Sequence, residues 1–204
     1  MKYNTAQVAQ LQPDYLGFIF YEQSPRNFKG EIPEIPKSVK KVGVFVNETP
    51  DKVLEKVNAY QLDLIQLHGE ETPEYINDLR RLFVDSGIIF PQIIKVFSIK
   101  DEFDFSVLKP FESIVDYFLF DTKGKHPGGN GYTFNWNVLQ AYPSTKPYFL
   151  SGGIGLNELK SVQSFLSKQE SEYCYAIDVN SKFEIEPGLK HINELEKFKN
   201  ELQH

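Results

Sequence analysis

Seven short apolar runs recur along the chain, and nearly every one stops at an informative polar residue or a glycine. They are DYLGFIFY (Asp14 to Tyr21), KVGVFVN (Lys41 to Asn47), LDLIQLHG (Leu62 to Gly69), IIKVFSI (Ile93 to Ile99), YFLFDT (Tyr117 to Thr122), PYFLSGG (Pro147 to Gly153) and YAIDVN (Tyr175 to Asn180). Runs of this length, rich in β-branched and aromatic residues, read as strands buried on both faces. Helical patterns fall between most of them. Asn4 to Leu11 carries cap chemistry at Asn4 or Thr5, and Thr49-Pro50-Asp51 opens a helix through VLEKVNAY. Glu70 to Phe83 is amphipathic, with Thr72 as cap and Pro73 at the first helical position. Helices are also expected around Trp136 to Ala141, over Leu156 to Leu166, and from Gly188 to Leu202. SPRNFKGEIPEIPK is a loop, as its prolines and glycine require.

Strands alternating with helical or irregular connections imply a parallel sheet with right-handed crossovers. An open doubly wound sheet and a (β/α) barrel both satisfy that order. The dinucleotide fingerprint G-x-G-x-x-G is absent after the first strand, and polar residues end many strands rather than one or two. That distribution favours a barrel, whose site draws on many strand ends. The 204 residues show no linker or low-complexity tract, so a single domain over 1–204 is expected, with a bulky core drawn from 17 Phe and 11 Tyr.

A net charge of −6 argues against nucleic acid or an anionic membrane as partner, since both need a basic face. The one cysteine, Cys174, excludes an internal disulfide and suits a reducing compartment; with no signal-like N-terminus, a cytoplasmic location is expected. His, Cys and carboxylates do not cluster at metal spacing, so no metal and no cofactor are expected.

Asp121 stands where a buried strand gives out, the position at which barrel enzymes place reactive groups. It reads as a proton donor, or as an acid that merely starts a loop. Gly152-Gly153 and the stretch Asp178, Val179, Asn180, Ser181 end the last two strands. Paired glycines let backbone N–H groups approach an anion, so these consecutive loops form a candidate phosphate site; a tight turn is the plainer alternative for the glycines. Arg26 could grip a carboxylate with its fork of donors, or be a solvated loop residue. His68 could orient substrate or shuttle a proton, or cap its own loop. GKHPGGNG lacks the Lys-Ser/Thr of a nucleotide phosphate loop and reads as a mobile cover.

Taken in order, GFIFYEQSPRNF, VGVFVN, QLHGEE, FLFDTKG with GGNGYTFNW, LSGGI and AIDVNSKFEIEPGLK resemble phosphoribosylanthranilate isomerase, an enzyme of tryptophan biosynthesis. The resemblance runs from about Asp14 to the C-terminus. It implies a (β/α)₈ TIM barrel and an Amadori rearrangement of N-(5-phosphoribosyl)anthranilate. By motif, Asp121 would protonate the ribose ring oxygen, Arg26 would hold the anthranilate carboxylate, and Gly152, Gly153, Asp178, Asn180 and Ser181 would form the phosphate loops. His68 matches the QLHG motif. The partner implied is a small phosphorylated substrate, the assembly a monomer or homodimer.

The family also uses a cysteine general base, in a stretch like K-[IV]-C-G-[ML] on its first strand, and this sequence contains no such stretch. Met1-Lys2 falls where the family continues after that glycine. The expectation is an N-terminally truncated barrel with seven of eight strands, Met1 being internal to a longer protein, and with two parallel edges open to aggregation or pairing. Cys174 precedes the polar end of its strand by four residues, roughly 13 Å at about 3.3 Å per residue, and is expected to be packed and inert. A barrel that binds phosphorylated ligands without turnover is the competing function. A neighbouring tryptophan- or histidine-pathway barrel enzyme is a third, which QLHG followed by FLFDTKG disfavours. Asn130 and Asn135 stand where threonine and aspartate are commoner in the family, and Asn135 can still cap the next helix.

Overall fold

A computed structural model describes residues 1–100, 102–122 and 133–202. All seven expected strands form, and they make one parallel sheet in sequence order. They are β1 (Tyr15–Ile19), β2 (Lys40–Phe45), β3 (Leu64–Leu67), β4 (Gln92–Ile99), β5 (Tyr117–Thr122), β6 (Tyr148–Leu150) and β7 (Cys174–Ile177). The helices are α1 (Thr5–Gln10), α2 (Pro50–Tyr60), α3 (Pro73–Ser86), α4 (Leu159–Leu166) and α5 (Ile192–Leu202), with short 3₁₀ turns between other strands.

Both faces of the curled sheet are apolar. Val42, Leu64, Ile94, Val96, Leu119 and Phe149 pack with one another on the concave side. The alternate residues, Phe18, Phe45, Ile65, Ile93, Phe118 and Phe120 among them, belong to the larger cluster under the helices. The period of two assigns each residue to one face. Full burial of each such side chain contributes roughly 1.5–3 kcal/mol. α3 shows how the sequence fixes the outer layer: Thr72 accepts from the Tyr75 N–H at 3.3 Å, Pro73 starts the helix, and Ile76, Leu79 and Phe83 form the buried stripe. Gly87 then ends it in the left-handed conformation.

Curling brings the first and last strands together at the N-terminal rim, where Tyr15 Oη lies 3.3 Å from Tyr175 Oη. No ladder joins β1 to β7 among the described residues. Residues 1–4 link β1 to the segment around Gly188 and Lys190. The Met1 amino group donates to the Gly17 carbonyl of β1, the Tyr3 N–H donates to Gly188 O, and Asn4 exchanges two bonds with the Lys190 backbone.

Three local readings are corrected. Asn4 makes no side-chain cap on α1, because its amide is spent on Lys190. Leu156 to Leu166 opens as a 3₁₀ turn before becoming α4 at Leu159. The final helix begins at Ile192 rather than Gly188, because Glu184–Glu186 (β8) and Leu189–Lys190 (β9) form an antiparallel hairpin. Gly188, at φ 92°, turns it. The GKHPGGNG stretch and Asn130 lie outside the described residues. Asn135 does cap the following turn, accepting from the Asn137 N–H at 3.1 Å. Among the described residues no helix is long and apolar enough to cross a membrane.

Candidate active site

The C-terminal ends of the strands converge on a cavity of about 590 Å³, lined by Arg26, His68, Asp121, Gly152, Gly153, Asp178, Asn180 and Ser181 with their neighbours. The residues that the sequence offered for catalysis and substrate binding therefore border one space. β5 is buried from Phe118 onward and delivers Asp121 to the rim, where the side chain is almost wholly covered. Its Oδ1 accepts the Thr122 N–H at 2.9 Å, which leaves Oδ2 facing His68 Nε2 at 3.4 Å. His68 Nδ1 in turn lies 3.3 Å from Gln66 Nε2. An amide that donates there makes Nδ1 the acceptor and puts the ring proton on Nε2, toward the carboxylate.

Arg26 is not solvated. Its Nε and Nη2 hold both oxygens of Glu184, at 2.7 to 3.0 Å, in a fork across 158 residues of sequence. Glu184 also takes the Gly188 N–H and the ammonium of Lys190. Burial pushes its carboxyl upward, but Arg26 and Lys190 outweigh that and hold it below its ordinary value. Lys190 is buried by the same cluster, and its pKa is lowered by burial in spite of Glu184. Its ammonium donates to both the backbone and side-chain oxygens of Asn180, which fixes the loop after β7.

The paired glycines take the left-handed conformation, at φ 94° for Gly152 and 70° for Gly153. A β-carbon on Gly152 would overlap the backbone and hydroxyl of Thr122. The glycine thus permits a close approach between the β5 and β6 loops, beyond merely making a turn. Ser151 Oγ donates to Asp178 Oδ2 at 2.9 Å. Burial raises the Asp178 pKa; the Ser151 bond opposes this and the charge of Asp121 adds to it.

Cys174 opens β7, at the far end of that strand from the mouth, and burial pushes its thiol up to about 12. Sequence reasoning missed Gln66, Glu184 and Lys190. Gln66 breaks an otherwise apolar strand, and that was its visible signal. Glu184 and Lys190 sit in a stretch read as loop and helix start.

With this geometry in place, known proteins are informative. The family model described as N-(5'-phosphoribosyl)anthranilate (PRA) isomerase matches residues 2–201. The chain belongs to the PRA isomerase family. It is 39% identical over 208 residues to the N-(5'-phosphoribosyl)anthranilate isomerase of Parabacteroides distasonis, covering 98% of this chain and 89% of the relative. The corresponding protein of Phocaeicola vulgatus is 40% identical over 200 residues, covering 98% and 92%. The crystal structure of the PRA isomerase of Thermotoga maritima superposes with a TM-score of 0.76 at 29% identity, covering 97% of this chain and 91% of that one. The curled sheet is therefore the family's TIM-barrel architecture, with seven parallel strands. A further PRA isomerase, 26% identical over 97% of this chain and 91% of its own with a TM-score of 0.72, was crystallised with reduced 1-(o-carboxyphenylamino)-1-deoxyribulose 5-phosphate.

Proposed function

We propose that the chain acts on N-(5'-phosphoribosyl)anthranilate in tryptophan biosynthesis, converting it to 1-(2-carboxyphenylamino)-1-deoxyribulose 5-phosphate, with Asp121 as general acid. The observation that carries this is the placing of Asp121 on the same cavity as the paired-glycine turn and the Asp178–Ser181 loop. A sugar phosphate anchored at those turns would lay its ribose over β5. The Asp121 proton passes to the ring oxygen, the C1–O bond breaks, and the anthranilate nitrogen takes up the electron deficiency as an imine. Transfer of the C2 proton to a general base, for which the resemblance implies a cysteine in a K-[IV]-C-G-[ML] stretch, then gives an enolamine, which tautomerises to the ketose.

Phosphate is assigned to the backbone N–H groups around Gly152, Gly153, Asn180 and Ser181, with Lys190 holding Asn180 in place. The anthranilate carboxylate is assigned to Arg26, which already presents one face to Glu184. His68 is assigned to holding the Asp121 carboxyl in register.

No base role falls to Cys174, whose thiol lies at the wrong end of β7. That placing favours one second reading: a barrel that binds phosphorylated ligands without turning them over. The two separate in a fluorescence assay of isomerisation. This chain is compared with a form carrying a K-[IV]-C-G-[ML] segment ahead of Met1, each also titrated with reduced 1-(o-carboxyphenylamino)-1-deoxyribulose 5-phosphate. Turnover in either form supports the isomerase. Tight analogue binding by both with turnover in neither establishes the binding protein.

A further inference from the structure

Behind the mouth, on the helix side of the sheet, Lys95 of β4 and Glu71 at the start of the α3 segment form an ion pair of 2.8 Å. Their side chains are 4% and 1% exposed, so both charges are out of water. Buried pairs of this kind give little net stability compared with apolar residues of equal size. Their contacts indicate a different use.

Lys95 Nζ donates to the carbonyl of Gly69 at 2.7 Å and approaches that of Leu67 at 3.5 Å. Those are the residues on either side of His68. Glu71 completes the clamp from below: its carboxylate accepts the Gly69 N–H at 3.0 and 3.1 Å and the Asn47 N–H at 2.8 Å. Asn47, itself at φ 50°, accepts the Glu70 N–H through Oδ1 at 2.7 Å. A β-carbon on Gly69 would overlap Asn47, so only glycine lets these two loops close. His68 is also tied by its own N–H to Phe45 O at 2.8 Å. The backbone on both sides of the histidine is thus fixed by two charged groups that never reach the cavity.

We infer that Lys95 and Glu71 are positioning residues for the reaction: they aim His68 Nε2 at Asp121 Oδ2 by gripping the peptide groups on either side of the histidine. The inference rests on the assignment of Asp121 as the acid, because an aimed imidazole matters only if that carboxyl reacts. Lys95→Met removes the donor to both carbonyls. Glu71→Gln keeps the size and one acceptor but loses the charge and presents an NH₂ to Lys95.

The test is ¹⁵N–¹H spectroscopy of the imidazoles, practical with four histidines in the chain and with His191 as internal reference. Unaltered protein is expected to show His68 as one Nε2–H tautomer and a protected Gly69 amide. In Lys95→Met the tautomers are expected to mix and Gly69 amide exchange to rise at least about tenfold. Inorganic phosphate is expected to bind both proteins equally, which separates local loosening from general damage. In an active form, kcat is expected to fall about tenfold or more while KM changes less than about twofold. A folded Lys95→Met protein that keeps a single Nε2–H tautomer and a protected Gly69 overturns the inference. If that variant does not fold, Glu71→Gln is read by the same criteria; if neither folds, the pair serves stability and the inference falls. Full turnover in Asp121→Asn would instead remove the acid assignment, whatever the His68 spectrum shows.

Discussion

Asp121 Oδ2 and His68 Nε2 lie 3.4 Å apart across the barrel mouth, one at the end of β5 and the other just beyond β3. The Thr122 N–H occupies the other carboxyl oxygen, so the reactive edge of Asp121 is defined by its neighbours. Replacing Asp121 by asparagine keeps the shape and removes the transferable proton. The expected loss in kcat is about 10²–10⁴-fold, with analogue affinity changed little. Steady-state kinetics and a binding titration on the same preparation check this. An unaltered kcat would mean that another group supplies the proton.

Gly152→Ala is expected to damage the phosphate site through the backbone. The residue is left-handed, and an added methyl would meet Thr122. Strain of roughly 1–3 kcal/mol is expected, appearing as a lower melting temperature. Phosphate affinity is expected to weaken at least about tenfold. Melting curves with and without phosphate measure both.

Asp178 couples pH to stability. Burial raises its pKa above the ordinary 3.8, so the folded protein favours the protonated carboxyl. The contribution is fully present below about 3.8 and is lost as pH rises through the raised folded value. Above the unfolded value of 3.8 that contribution is no longer at its full, and at pH 7 Asp178→Asn is expected to raise the melting temperature by about 2–4 °C. The gain should disappear near pH 3.5. A destabilised variant at pH 7 would show instead that the carboxylate is bound more strongly than its burial indicates.

Cys174 is expected to resist alkylation. With its pKa pushed from 9.0 to about 12, the thiolate population at pH 8 is about 10³-fold smaller than in the unfolded chain. Iodoacetamide labelling before and after urea, followed by mass spectrometry, reads the ratio. Rapid labelling of the folded form would place the thiol in a wetter setting than the start of β7 provides.

The strands were legible because each is a dense apolar run, and the mouth was legible because carboxylate, glycine and amide residues interrupt those runs at one end. Arg26, His68, Asp121 and the two phosphate loops border one cavity as that pattern implied. Two features stayed hidden for a physical reason. Arg26 meets Glu184, and Lys190 meets Asn180, through contacts that no local period encodes. The β8–β9 hairpin was masked because Glu-Ile-Glu-Pro-Gly reads equally as the polar approach to a helix. Asn4 was legible as a cap and is instead drawn off by Lys190, where a distant backbone offered it two bonds rather than one.

The ties between the first four residues and the segment around Gly188 and Lys190 also set an order in time. Asn4 and Lys190 meet across 186 positions, and Lys199 reaches the carbonyls of Leu11 and Gln12 across 188 and 187. Contacts of that separation close late, after nearer neighbours have already paired. A chain still leaving the ribosome would hold Asp121 and the paired glycines yet lack the lysine that steadies Asn180. The mouth is then finished by a lysine that emerges well after Asp121 and the glycines, and ligand capture becomes a report on whether synthesis has passed Lys190.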